Sequence, residues 1–325
     1  MMISSSKPWV FLSAFRNEAQ TLPLYLEEMY QVLGKMNLLP DSCLVLIDDY
    51  SLDSSIQAID DWKEKNPELE VVVLSPMTNL GNQGALAWGL SELNLTEPLD
   101  QWVFSMDPDG EDDLSSLPEM IRLAKDEPEK VIYSVRTVRH DSLKVKLLYK
   151  PFKWLYRTMT SKDILPNNFM ILPARYQKAV ALSPFTPVYY SLATLRLNLP
   201  WLSNPSPRRH RYGGQSTQNV YNLITHALVG LMIFHETVTA RGYIYITGAG
   251  SFFMFLNSFG LFVKFIQNKP VPDGFASTFM SINFGFAMML IAMLGFTAAI
   301  SMGLKLAAYY LTRWNIALHQ KNQIS

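Results

Sequence analysis

The sequence predicts an α/β fold built on a mostly parallel sheet, followed by two membrane-crossing helices. Three observations predict it: short apolar runs alternate with helical patterns over the first 215 residues, a polar cluster follows each of the first four runs, and two long charge-free stretches come after residue 241. Alternating strand and helix signals imply right-handed βαβ units, which cover both faces of a sheet with helices.

Residues 9–14 read as a strand, 22–36 as an amphipathic helix, 42–47 as a strand, 54–65 as a helix and 70–74 as a strand. Residues 81–92 then read as a helix, 102–106 as a strand, 114–125 as a helix and 130–135 as a strand. In such sheets ligands sit beyond the carboxyl ends of the strands. Asn17 and Glu18 follow the first strand, Asp49 and Asp53 the second, Asn79 and Gln83 the third, and Asp107, Asp109 and Glu111 the fourth. Any one cluster also reads as helix capping and turn chemistry, because Asn, Asp and Ser are favoured there. Four in succession along one sheet edge read as a site.

The fourth cluster is the most informative. An apolar strand runs straight into five carboxylates, those of Asp107, Asp109, Glu111, Asp112 and Asp113. Carboxylates crowded at a strand end repel one another, and a hard divalent cation removes that cost while leaving positions for phosphate oxygens. A solvated acidic loop is the plain alternative.

A hydrophobic fraction of 49% with 17% charged residues is apolar for a soluble protein. The excess is concentrated: residues 243–263 and 274–304 are runs of 21 and 31 residues without a charge. A bilayer core takes about 20 helical residues to cross, so two transmembrane helices are expected, with both flanking segments on one side. Arg241 before the first, and Lys305, Arg313 and Lys321 after the second, favour the cytoplasm for that side, while Lys264 and Lys269 in the intervening turn weaken the signal. Residues 1–14 lack the features of a secretory signal. One cysteine, Cys43, excludes an intrachain disulfide framework. The 28 basic side chains balance the 28 acidic ones, so charge gives no argument for nucleic acid. Residues 220–234 and 144–159 place apolar side chains at helical spacing and read as surface-seeking helices. His226 in the first of them reads as structural rather than as a base.

At this point the motifs resemble those of family 2 glycosyltransferases of GT-A fold. Within them the chain resembles the polyisoprenyl-phosphate subgroup, which includes dolichol-phosphate mannose synthase and bacterial polyprenyl-phosphate glucosyltransferases. Residues 14–18, Ala-Phe-Arg-Asn-Glu, are similar to the opening Pro-x-Tyr-Asn-Glu, and 47–55, Ile-Asp-Asp-Tyr-Ser-Leu-Asp-Ser-Ser, to Val-Asn-Asp-Gly-Ser-x-Asp-x-Thr. Residues 79–85, Asn-Leu-Gly-Asn-Gln-Gly-Ala, resemble Asn-x-Gly-Lys-x-x-Ala, and 106–112, Met-Asp-Pro-Asp-Gly-Glu-Asp, resemble the Asp-Ala-Asp-Leu-Gln-Asp metal motif. Residues 133–139 look like the arginine-bearing loop and 208–216 like Arg-x-x-Gly-x-Ser.

The resemblance implies a Rossmann-like GT-A catalytic domain over 1–215, an interfacial helix and linker over 216–241, a transmembrane hairpin over 242–304 and a cytoplasmic tail over 305–325. It implies an integral membrane protein, in the bacterial inner membrane, that passes a sugar from a UDP- or GDP-linked donor to a polyprenyl phosphate, making a lipid-linked sugar for envelope or glycan synthesis. Asp107, Asp109 and Glu111 are then the expected ligands of Mg2+ or Mn2+. Asn17, Glu18, Asp49, Asp53, Asn79, Gln83 and Asp107 are expected around the donor, and Arg136, Arg139, Arg208 and Arg211 around the acceptor phosphate. Asp109, Arg136, Arg139 and Asn168 are expected to serve catalysis. The acceptor is already an anion and can attack the anomeric carbon directly, so positioning matters more than a strong base.

Three positions depart from the pattern. Asn168 stands in Asn167-Asn168-Phe169 where many members have Gly-Asp-Phe, Thr217 where a Lys is common, and Asn82 where the third-strand loop has Lys. They keep two alternatives open: a transferase with another lipid acceptor, and a non-catalytic membrane protein that regulates a partner. Self-association as a homo-oligomer is left open too.

Overall fold

The computed structural model describes residues 3–5, 7–95, 101–136, 143–162, 167–207, 209–213, 228–267, 274, 278–293, 295–297, 300 and 303. These divide into two compact units, the first holding Met1–Lys150 and Asp163–Ile233, the second Pro151–Lys162 and Phe234–Leu311.

The first unit is a mixed, mostly parallel sheet with helices packed on it. Its strands are β1 (Ile3–Ser5), β2 (Trp9–Phe15), β3 (Ser42–Asp48), β4 (Glu70–Leu74), β5 (Leu93–Leu95), β6 (Trp102–Ser105), β7 (Val131–Arg136), β8 (Met170–Pro173) and β9 (Trp201–Ser206). Seven of them form one sheet in the order β4-β3-β2-β6-β8-β7-β9, and β1 pairs with β5 in a separate parallel ribbon. Every residue of β2 and β3 is buried, which is why both read as unbroken apolar runs rather than as alternation. Parallel register sets Trp9 opposite Trp102 and Phe11 opposite Phe104. Their rings stack at 4.5 and 4.6 Å between centroids, a cross-strand aromatic ladder that locks β2 to β6.

The helices of the first unit are α1 (Leu22–Lys35), α2 (Ser55–Lys65), α3 (Gly81–Glu92), α4 (Leu117–Asp126), the start of α5 (Leu143–Thr160), which belongs from Pro151 on to the second unit, α6 (Gln177–Ala181) and α7 (Tyr190–Arg196). In α1 the buried set Leu22, Tyr25, Leu26, Met29 and Leu33 recurs at three- and four-residue spacing, as an amphipathic helix on a sheet requires. The segment expected as one helix over 114–125 begins instead as a 3-10 turn, Leu114–Ser116, started by Asp113, whose side chain accepts from Ser115 N at 3.0 Å. Pro118 then sits in the first turn of α4, where its missing N–H costs nothing.

β8 is the insertion that sequence order did not foresee. It runs antiparallel to both β6 and β7, so β7 lies parallel to β6 but one strand removed from it. The carboxyl ends of β2, β3, β4, β6, β7 and β9 therefore meet at one edge, together with the amino end of β8.

In the second unit, the helices His235–Ile266 and Thr278–Thr297 are long and apolar enough to cross a membrane, with mean hydropathy 1.5 and 1.9 over their most apolar windows. Their large side chains face outward: Phe252, Phe255, Phe262 and Phe284 are each more than half exposed. In a membrane such exposure is the normal state of a lipid-facing helix. Of the interfacial helix expected over 220–234, residues 228–233 are helical, and His226 lies outside the described residues.

Candidate active site

Four loops at the carboxyl edge build the site, and a left-handed backbone position shapes each of them: Asn17 at φ 54°, Tyr50 at φ 66°, Gly81 at φ 73° and Gly110 at φ 84°. The first two loops are laced together. Asn17 N donates to Ser51 Oγ at 2.9 Å and Asn17 Oδ1 accepts from Leu52 N at 2.8 Å. Glu18 N donates to Ser55 Oγ at 2.9 Å, and the Asp53 carboxylate accepts from Ala19 N and Ser55 N, both at 3.1 Å. Desolvation by its neighbours works against the Asp53 charge, yet the bonds from Ser55 and Ala19 hold its carboxyl below the usual carboxylate range. Asn17 and Asp53 thus join two loops.

Asp49 is 4% exposed and accepts from Leu80 N at 2.6 Å, fastening the second loop to the third. Asn79 Oδ1 accepts from Gly81 N at 2.9 Å, at the start of α3. Gln83 reaches the far side of the site: its Oε1 accepts from Tyr190 N at 2.7 Å and its Nε2 donates to Asn168 Oδ1 at 3.3 Å, so it braces the start of α7 and the start of β8.

Asp107 and Asp109 project from the turn after β6. Asp107 Oδ1 accepts from Asn82 Nδ2 at 3.1 Å and from Asn168 Nδ2 at 3.4 Å. Two of the three departures from the family pattern therefore converge on one carboxylate oxygen as neutral donors. Asp107 N donates to Asp112 Oδ2 at 3.2 Å and Glu111 N to Asp109 Oδ1 at 2.9 Å, which folds the acidic turn on itself. Burial, and next the charge of Asp107, push the Asp109 carboxyl up to about 6, against the Glu111 N–H and the Arg211 charge.

Arg211 is in this turn. Its Nη2 lies 2.9 Å from Asp109 Oδ2 and its Nε 3.0 Å from Glu111 Oε1. The segment after β9 is laid along the acidic turn by backbone bonds: Tyr212 N donates to Asp109 O and Arg209 N to Glu111 O, each at 3.0 Å. Glu28 of α1 anchors it from below, accepting from Tyr212 Oη at 2.5 Å and pairing with Arg209. Burial, and then the bond to Glu28, hold the Tyr212 phenol well above its ordinary range. The Tyr212 ring packs against Gly110, where a Cβ would lie 2.6 Å from the ring.

Of the expected metal set, Asp107 and Asp109 share the turn, whereas Glu111 is paired with Arg211. No group of three acidic, His or Cys side chains converges among the described residues. A hard cation nevertheless fits the donors: two carboxylates in one turn, one of them pushed up in pKa, with a guanidinium already drawn to that one. Arg211, expected at an acceptor phosphate, is held on the carboxylates instead. Arg139, Arg208 and Thr217 lie outside the described residues, and so does the side chain of Arg136, whose backbone ends β7 at the site edge. Glu28 and Tyr212 escaped the sequence reading, since nothing in a lone Glu on α1 marks it as an anchor 184 residues from its partner.

Comparison with known proteins returns a match to the family model described as glycosyl transferase family 2 over residues 13–177, just over half of the chain. No curated protein matches the chain by sequence. Among solved structures, a mannosyltransferase from Pyrobaculum calidifontis in complex with GDP-Man and Mn2+ is similar over 100% of this chain and 84% of its own, at 12% identity and a TM-score of 0.47. Mannosyl-3-phosphoglycerate synthase from Rubrobacter xylanophilus covers 72% of this chain and 74% of its own, at 13% identity and 0.48. Glucosyl-3-phosphoglycerate synthase from Mycobacterium tuberculosis, in complex with Mn2+, UDP-Glc and phosphoglyceric acid, covers 73% and 80%, at 14% identity and 0.44.

Proposed function

The chain belongs to glycosyl transferase family 2, and we propose that it is an inverting, membrane-bound member that moves a sugar from a UDP- or GDP-linked donor to a polyprenyl phosphate. The observation that carries the transferase chemistry is the placement of Asp107 and Asp109 at the carboxyl edge of the sheet, beside loops tied together through Glu18 and Asp49.

In this reading Asp107 and Asp109 hold a divalent cation, Mg2+ or Mn2+, whose charge offsets the one that grows on the departing nucleoside diphosphate. Asn82 and Asn168 orient Asp107 through its Oδ1. Glu18 and Asp49 accept hydrogen bonds from ribose or base. Arg211, once released from Asp109, has the geometry for bidentate contact with phosphate oxygens. Arg136 and Arg139, at and beyond the end of β7, guide the acceptor phosphate, which attacks the anomeric carbon as an existing anion. Oriented approach supplies most of the rate, and no strong general base is required.

Two features support a lipid acceptor: a pair of helices long enough to span a membrane, and an arginine, Arg136, that ends a strand at the edge of the site. The test is a screen of the full chain in lipid against radiolabelled nucleotide sugars, with and without polyprenyl phosphate, on wild type, Arg136→Ala and Arg139→Ala. Polyprenyl-phosphate-dependent transfer should fall about ten- to hundredfold in the variants, with nucleotide-sugar binding unchanged. Transfer that ignores polyprenyl phosphate, or variants that lose donor binding while keeping acceptor dependence, would overturn this acceptor.

A further inference from the structure

The second unit holds a cavity of about 620 Å³ lined by Trp154, Arg157, Thr158, Arg241, Ile244 and Tyr245, none of which takes part in the site described above. We propose that it binds the phosphate of an anionic bilayer phospholipid; this rests on the membrane-spanning reading of the two apolar helices.

The lining carries two guanidinium groups and no carboxylate. Arg241 is held in place: Nη1 donates to Thr158 O at 2.6 Å, one of the orphan carbonyls at the end of α5, and Nη2 donates to Ser161 Oγ. A guanidinium has five N–H donors, so these two bonds leave others for a ligand. Around the cations the walls are amphipathic and outward-facing, with Trp154 69%, Ile244 68% and Tyr245 50% exposed. Trp and Tyr beside Arg, at the polar end of a charge-free helical run, is the chemistry of the membrane–water interface. Arg241 is the last charge before the run 243–263 begins.

A second hollow, of about 330 Å³, separates a lipid from a soluble phosphate. It is lined by Tyr243, Ile244, Thr247, Gly248 and Ser251 and shares Ile244 with the first. Residues 244, 247, 248 and 251 lie on one face of the helix. Gly248 has open space where a side chain would stand. Thr247, Gly248 and Ser251 thus line a shallow trough that starts at Ile244, beside the first cavity, and follows the apolar helix. A phosphate at the arginines could send an acyl chain along it, whereas a free phosphate would leave the trough unused.

Native mass spectrometry of the full chain in detergent, offered phosphatidylglycerol or phosphatidylcholine, tests this. Wild type should retain phosphatidylglycerol preferentially. Arg157→Gln should cut that preference about tenfold, as expected for one lost charge-assisted contact. Gly248→Leu, which fills the trough and spares both arginines, should cut retention as well and guards against Arg157→Gln acting by misfolding. Unchanged preference in both variants would overturn the site, as would equal retention of the two lipids by wild type. Displacement of phosphatidylglycerol by millimolar inorganic phosphate, with Gly248→Leu silent, would reassign the pocket to a soluble anion. If the chain instead stays in solution without detergent or lipid, the membrane reading itself has failed.

Discussion

Arg211 bridges Asp109 and Glu111, with its Nη2 2.9 Å from one carboxylate and its Nε 3.0 Å from the other. A cation supplied by the chain thus occupies the neighbourhood in which the donor's metal is proposed to bind. Metal and guanidinium compete for Asp109. Arg211→Gln should therefore bind Mn2+ more tightly in the absence of donor, by about five- to tenfold, the worth of roughly 1 kcal/mol of lost competition. Titration followed by the electron paramagnetic resonance signal of free Mn2+ reads this directly. Weaker Mn2+ binding in the variant would mean that Arg211 orders the carboxylates rather than opposing the metal.

Asp109→Asn keeps the shape of the side chain and removes its charge. It should abolish metal-dependent sugar transfer while leaving the melting temperature within a few degrees of wild type, because Asp109 in the native state is a destabilised charge. Turnover at the wild-type rate would remove Asp109 from the metal site.

Asn168→Asp would set a second carboxylate where an amide now donates to Asp107 Oδ1 at 3.4 Å. Asn168 is only 7% exposed, so the new charge is poorly solvated. The variant should lose about 1–3 kcal/mol of stability in chelator at neutral pH and regain part of it with Mn2+. Denaturation with and without metal makes the comparison; a loss that Mn2+ does not reduce would place Asn168 outside the metal's reach.

Gly110→Ala meets two obstacles, the left-handed backbone at φ 84° and the Tyr212 ring 2.6 Å from the new Cβ. A left-handed non-glycine residue costs about 1–2 kcal/mol and overpacking about 1–3 kcal/mol. In a Tyr212→Ala background only the first remains, so a double-mutant cycle by chemical denaturation should show a coupling above about 1 kcal/mol. Strict additivity would show that the ring yields freely.

Much of the fold was legible because its signals are local. β4 and α3 fall on the residues at which periodicity placed them, and β2, β3 and β6 within a residue or two, since buried parallel strands and amphipathic helices each declare themselves within one window. The aspartates after β6, the loops that follow β2, β3 and β4, and the two apolar helices were equally plain. These are short-range facts of composition and order, and the chain determines them by itself.

What only the tertiary structure decided is the partner of each charged group. Antiparallel β8 between β6 and β7 carries Asn168 to Asp107, 61 residues away, and parallel β9 carries Arg211 to Glu111, 100 residues away. No periodicity encodes such pairings, because they depend on which strands are neighbours and which way each one runs. Arg211 therefore read as an acceptor-phosphate ligand in the sequence and is a counter-charge to Asp109 in the fold. Asn168 read as a lost carboxylate and is a hydrogen-bond donor to a carboxylate already there. A residue's type sets what it can do, and the edge of the sheet on which it lands sets which of those things it does.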